Sequence, residues 1–432
     1  MRRALPLLLG LLAAAHAGAE PEGPAPVNDQ PVMALAAQTV ALDTPVAIDR
    51  LSVHTFRDGR LVPVPFQIDE MDVHGMVWFP DSGFELEGRR GIFDASDQLL
   101  FMLSDASPTP LPERQAGGGP VRELVLQDGA GQKRYVYLMI DNDERSERFY
   151  VLHDPSSGVT RTDSYLLTTD PDNELNWQFL GYEGYRGPPD ASIIDNLRML
   201  MSGGVLVRFA RMTLDNDNLQ PRQTGFRIGP IRSVLHLETR IVFGGLPMMK
   251  MHVQAMRYAN HFEAHTYARI PGIYRATVKQ PRVSVSIDGN AHQGALVRTA
   301  LGGSARGTVD GKLDDQERMM LERGLTSDQG WILFDSRRGF ALMTMLNVPE
   351  SLEGIPLKLI YRDEKSSDRE GRFPGNLPEL GYTLEGWPPE DELRFSLQVF
   401  FDSSLEGVNP ADYANTRTGR TIGVTVNPPA LP

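Results

Sequence analysis

Leu393-Arg394-Phe395-Ser396-Leu397-Gln398-Val399-Phe400-Phe401 sets Leu397, Val399 and Phe401 against Ser396 and Gln398. A period of two marks a strand with one dry and one wet face, because successive side chains leave a pleated backbone on opposite sides. Val205, Val207 and Phe209 alternate in the same way with Leu206, Arg208 and Ala210. Apolar runs at Ile231 to Phe243, Met249 to Tyr258, Phe262 to Ile270, Val283 to Ile287, Trp331 to Phe334, Phe340 to Leu346 and Leu357 to Tyr361 read as further strands. No strand–helix–strand rhythm separates them, so antiparallel sheets are expected.

Toward the N-terminus the runs are shorter: Val46 to Val53, Leu61 to Val64, Leu99 to Leu103, Val121 to Leu126 and Tyr135 to Ile140. Asp58-Gly59, Asp128-Gly129 and Gly117-Gly118-Gly119-Pro120 punctuate them as turns. Residues 154–202 are rich in Pro, Asp, Asn and aromatics and read as a long loop region. A short helix is expected at its end, where Ile193, Ile194, Leu197, Leu200 and Met201 follow Asp190 or Ser192 as a cap. A second is expected over Asp314 to Arg323, capped by Asp314 or Asp315, with Met319, Met320 and Leu321 inward. The reading is a mostly β chain of antiparallel β-sandwiches with few short helices. A smaller N-terminal β domain covers 31–153 and a larger C-terminal sandwich covers 203–432.

Arg2 and Arg3 precede an apolar run, Ala4 to Ala15, and the small residues Ala17, Gly18 and Ala19. That is the pattern of a cleavable export signal over 1–19, followed by a Pro-rich tether over 20–30. The run is 12 residues long, short of the ~20 a membrane-spanning helix needs. No cysteine is present, which excludes a lipid-modified cysteine and any disulfide. A periplasmic or secreted protein, not integral to a membrane, is expected. The net charge of −13 makes nucleic acid a poor partner, since phosphate backbones demand a basic surface.

Pro63-Val64-Pro65-Phe66-Gln67-Ile68-Asp69-Glu70 and Phe93-Asp94-Ala95-Ser96-Asp97-Gln98-Leu99-Leu100-Phe101-Met102 stand out, with Gly229-Pro230-Ile231-Arg232 opening a later strand. Together they resemble a recurrent pattern in exported bacterial β proteins of uncharacterised function. The pattern is also similar to chains of the galactose-mutarotase-like supersandwich, a fold shared by sugar epimerases and polysaccharide lyases. That resemblance rests on two short windows and one strand, and it implies a supersandwich for the larger domain. On a strand, Gln67 and Asp69 point outward, and Asp69, Glu70 and Asp72 are then candidates to converge with Asp94 and Asp97 around a hard cation such as calcium. The competing reading is that Asp94 and Asp97 cap turns and pair with Arg89 or Arg90.

His261, Glu263, His265 and Tyr267 would share one face of a strand, as candidate acid and base groups for sugar chemistry. His261 and His265 would lie ~13 Å apart, too far to ligate one metal, so only neighbours can cooperate. The alternative is an ordinary hydrated face. Trp177, Tyr182, Tyr185 and Arg186 are candidates for stacking against and hydrogen-bonding a glycan, or for pinning their loop to the sandwich. No Gly-x-Ser-x-Gly elbow occurs, and Gly302 to Gly307 lacks the Lys-Ser or Lys-Thr ending of a phosphate loop. Met248, Met249, Met251 and Met256 read as core. The leading expectation is binding or processing of carbohydrate polymers in a groove of the large sandwich. The alternatives are a non-catalytic envelope module that docks on a protein partner, and a carrier of an apolar ligand.

Overall fold

The computed structural model describes residues 31–112, 120–188, 191–205, 211–243, 246–321, 330–347, 356–364, 378–404, 413, 416, 419 and 421–428. The expected signal and tether over 1–30 lie outside the described residues, as do most of the alternating positions at 205–210.

The strand opened by the alternating stretch, Glu392–Asp402, sits in the middle of a nine-stranded antiparallel sheet. His261–Arg269 pairs with it on one side and Ala341–Asn347 on the other. Leu393, Phe395, Leu397, Val399 and Phe401 point into one large core, while Phe400 points the other way. A five-stranded sheet covers that dry face, in the order Arg211–Leu214, Ile194–Val205, Val278–Gly289, Glu379–Glu385 and Leu357–Arg362. Leu197, Ile287, Leu380 and Tyr382 project from it into the same core. Burial of a large apolar side chain stabilises by about 1.5–3 kcal/mol, so this interface holds the sandwich together.

Residues 154–202 are not a loop with a helix. Leu152–Asp154, Val159–Arg161, Tyr165–Asp170 and Asn173–Tyr182 form a four-stranded sheet, and Ile194–Val205 is a strand. A register shift between Ile194 and Asn196 explains the misreading. The bulge lets Ile194 and Leu197, three residues apart, both reach the core that Met199 also enters, and so imitates helical spacing. The other expected helix exists over Asp315–Met319, with Asp314 and Glu317 forming a capping box. Met320 is buried as expected, but Met319 faces solvent.

The N-terminal sandwich packs Val32–Ala36, Gln98–Met102 and Phe66–Asp69 against a second five-stranded sheet. That sheet is completed by Gly423–Asn427, which pairs with Pro120–Gln127, so the C-terminal strand belongs to the first unit rather than to a domain over 203–432. The two sandwiches meet through Met71, Val77, Phe79, Leu100, Ile231 and Met256.

Candidate functional site

The outward face of Glu392–Asp402 and its neighbours is not uniformly hydrated, because the segment after Asp69 folds over it. Gln254 of the nine-stranded sheet holds this segment by both ends of its amide, accepting from Val77 N at 2.9 Å and donating to Val77 O at 2.6 Å. The Asp72 carboxylate accepts from His74 N at 2.8 Å and Met76 N at 3.0 Å, fixing the turn that presents His74. The His74 ring then stacks on Tyr267 at 4.2 Å. Burial pushes the Asp72 carboxyl up from its ordinary value.

Pairing places His265 beside Ser396, Tyr267 beside Arg394 and Glu263 beside Gln398. Asn347 follows on the next strand, opposite Ser396. His74, His265, Tyr267, Asn347, Arg394 and Ser396 line a cleft of about 280 Å³. This approaches the lower end of the roughly 300–1,000 Å³ typical of small-molecule sites, so a single ring fits and a longer chain would lie across the rim.

Glu263 sits behind the cleft, buried, between two imidazoles. Its carboxylate lies 3.1 Å from His265 Nε2 and 3.5 Å from His261 Nε2, and Gln398 Nε2 donates to it. Burial alone would raise its pKa, but hydrogen bonds and charge from His261 and His265 outweigh burial and hold it well below the usual carboxylate range. An ionised carboxylate on Nε2 fixes the proton there and leaves Nδ1 of His265, whose side chain is 34% exposed, to accept one. Arg394 supplies positive charge at the cleft, bonded to Glu392 at 2.8 Å and to His74 O at 3.2 Å. Tyr267 donates to Glu392 at 2.9 Å.

The four expected acid–base residues therefore share one sheet face but divide in role. His265 and Tyr267 reach the cleft, while Glu263 is screened from it. His261 is sealed between Tyr258 and Phe400 at 4.0 and 4.8 Å, too enclosed to meet a substrate.

The aromatic set is not a stacking platform. Trp177 is fully buried on a strand and meets Phe262 edge-on at 4.8 Å, and Tyr182 packs on Phe340. Tyr185 is half-buried near Phe340, and Arg186 N donates to Arg338 O. None of the four lines the cleft.

The five acids do not converge on a cation either, and among the described residues no three His, Asp or Glu side chains are arranged so that they could hold a metal ion. Asp69 points inward rather than outward, fully buried, 2.8 Å from Arg227 and 2.7 Å from Arg232. Gln67 donates to both Asp69 oxygens and accepts from Arg232 N at 3.1 Å, and Gln98 accepts from Arg232. Glu70 accepts from Gly91 N, Asp97 from Asp94 N, and Asp94 from Arg89. The conspicuous sequence windows thus find one another in space and join the two sandwiches. Gly229 leaves room there, since a Cβ would come within 1.9 Å of Gln67 Oε1 and displace the amide that accepts from Arg232 N.

Sequence reasoning missed His74, Asn347, Arg394 and Ser396 as site residues. Arg394 was legible as a polar residue alternating with Leu393 and Phe395. His74 carries no local signal, because only the fold brings it over Tyr267.

No family model and no curated protein matches the chain. Among solved structures, a protein of glycosyl hydrolase family 38 from Enterococcus faecalis superposes at a TM-score of 0.46 and 8% identity, over 88% of this chain and 42% of that one. An Escherichia coli K12 protein assigned as an aldose 1-epimerase gives 0.30 and 7%, over 59% and 99%. Both scores are too low to carry weight. An alpha-mannosidase from Enterococcus faecalis V583 reaches 0.51 at 8% identity, over 93% of this chain and 44% of that one. The chain thus spans under half the length of that mannosidase and is similar to it in fold.

Proposed function

We propose that the chain is an exported, periplasmic or secreted protein that binds or processes carbohydrate in the cleft lined by His74, His265, Tyr267, Asn347, Arg394 and Ser396. The observation that carries this reading is the buried Glu263 carboxylate 3.1 Å from His265 Nε2, which leaves the other imidazole nitrogen to exchange a proton with a sugar carbon or hydroxyl. Arg394 binds hydroxyls or a uronic-acid carboxylate, and Asn347 and Ser396 add polar partners. The mannosidase likeness in fold is compatible with this reading, although fold alone does not assign chemistry. No helix among the described residues is long and apolar enough to cross a membrane.

The test is a glycan array joined to a reducing-sugar assay on the full chain. Wild type should bind or turn over one glycan class, with His265→Ala lowering turnover about 10²–10⁴-fold and Glu263→Gln lowering it less. Absence of both binding and turnover across a broad panel would overturn the proposal. A stable envelope protein recovered by pull-down, with the cleft insensitive to His265→Ala, would favour docking instead.

A further inference from the structure

A second feature lies on the opposite side of the nine-stranded sheet from the cleft. At one end of the large sandwich the two sheets enclose a cavity of about 100 Å³. Met201, Met212 and Leu384 line it from the five-stranded sheet, and Met249, Met251 and Phe395 from the nine-stranded sheet. Protein interiors are packed like organic crystals, so a space of this size between two apolar faces is a departure from ordinary core. At roughly 10–15 Å³ for each water-sized group, it admits about seven to ten methylenes. Methionine linings yield to an irregular chain because the thioether side chain is unbranched and pliable.

The rim has features suited to an entrance. Helix Gly272–Thr277 contains no buried residue; its Tyr274 lines the cavity, and its Ile273 is 63% exposed. Trp387 is anchored by its ring N–H to Val278 O at 3.0 Å and turns toward the cavity. Arg282 borders the rim from the outer face of the five-stranded sheet, where it pairs with Glu385, its side chain 54% exposed and 3.0 Å from that carboxylate. Glu385 is bonded to Lys358 as well, at 2.8 Å, so it keeps a cation if Arg282 turns to another carboxylate.

We infer that this cavity is a binding site for the alkyl chain of a fatty carboxylate of about eight to ten carbons, its head held by Arg282 at the rim. The site is independent of the carbohydrate cleft.

The experiment is calorimetric titration of the full chain with saturated fatty acids from hexanoate to tetradecanoate, alongside decanol. Affinity should rise about fourfold per added methylene and stop rising near decanoate. Bromodecanoate should quench Trp387 emission, and Trp387→Phe should remove that quenching. Arg282→Gln should weaken decanoate and leave decanol unchanged. Ala268→Leu, which fills the space from the cavity wall, should lower decanoate affinity at least tenfold while raising the melting temperature. Should that variant fail to fold, Met249→Phe at a half-buried wall position serves the same purpose. His265→Ala should bind decanoate as wild type does, whatever happens to glycans. The inference is overturned if decanoate does not bind saturably, or if the filling variant that folds binds it undiminished.

Discussion

Asp69→Asn keeps the size and shape of the side chain and removes only its charge. In the folded chain Asp69 is fully buried between Arg232, itself almost wholly buried, and Arg227, which is 30% exposed. The variant leaves the Arg232 guanidinium in the interface with Tyr258 OH at 2.6 Å and Gln98 as neutral partners. Breaking one side of a buried ion pair costs about 3–5 kcal/mol, and Arg227 adds little because solvent screens it. Replacing both partners, as in Asp69→Leu with Arg232→Met, should recover most of the loss, because no buried charge then stands alone. Burial alone would raise the pKa of Asp69; the two arginines and Gln67 reverse this and hold it below the ordinary value. Its contribution is therefore complete above about pH 4 and fades as pH falls through the folded-state value. Urea titration followed by near-ultraviolet circular dichroism reads the effect, with wild type and variant converging in acid. A loss under about 1 kcal/mol at neutral pH, or a double variant worse than the single one, would refute the claim that this ion pair ties the sandwiches together.

Three further outcomes are expected. Glu174→Gln should destabilise by about 3–5 kcal/mol, since it strands Arg257, fully buried and 2.5 Å from the Glu174 carboxylate; an unchanged denaturation midpoint would count against this. Burial pushes His153 and His236 down to about 3 and His292 down to about 4. The unfolded chain then takes up more protons below about pH 6.5, so stability should fall on acidification by up to about 1.4 kcal/mol per pH unit for each imidazole; a melting temperature that is flat from pH 7 to 5 would contradict it. Gly229→Ala should cost about 1–3 kcal/mol by overpacking against Gln67, and differential scanning calorimetry should show that loss relieved in the Gln67→Ala background.

The antiparallel sandwich was legible because alternation survives wherever one sheet face is dry, as in Leu393 to Phe401. It failed at Ile194 to Met201, where one bulged residue moved two apolar side chains onto the same side. The shared face of His261, Glu263, His265 and Tyr267 followed from pleat geometry alone. Which of them reaches a ligand did not, because the segment around His74 and the rings of Tyr258 and Phe400 come from distant positions. The acidic windows drew attention for a real reason, but the partners of Asp69, Arg227 and Arg232, lie more than a hundred residues away, whereas the pairing of Asp94 with Arg89 was legible locally. Local spacing cannot distinguish a carboxylate that binds a cation from one that binds an arginine.

Gly423–Asn427 completes the sheet that begins near Leu51, and Asn427 Nδ2 reaches Glu123 at 2.9 Å across 304 positions of sequence. Synthesis runs from the amino end, so the backbone donors and acceptors along Pro120–Gln127 wait until Gly423–Asn427 has been made. Until then that edge is open to strands of other molecules, the usual route to aggregation. Removing Gly423–Asn427 would perpetuate the nascent condition in the folded molecule.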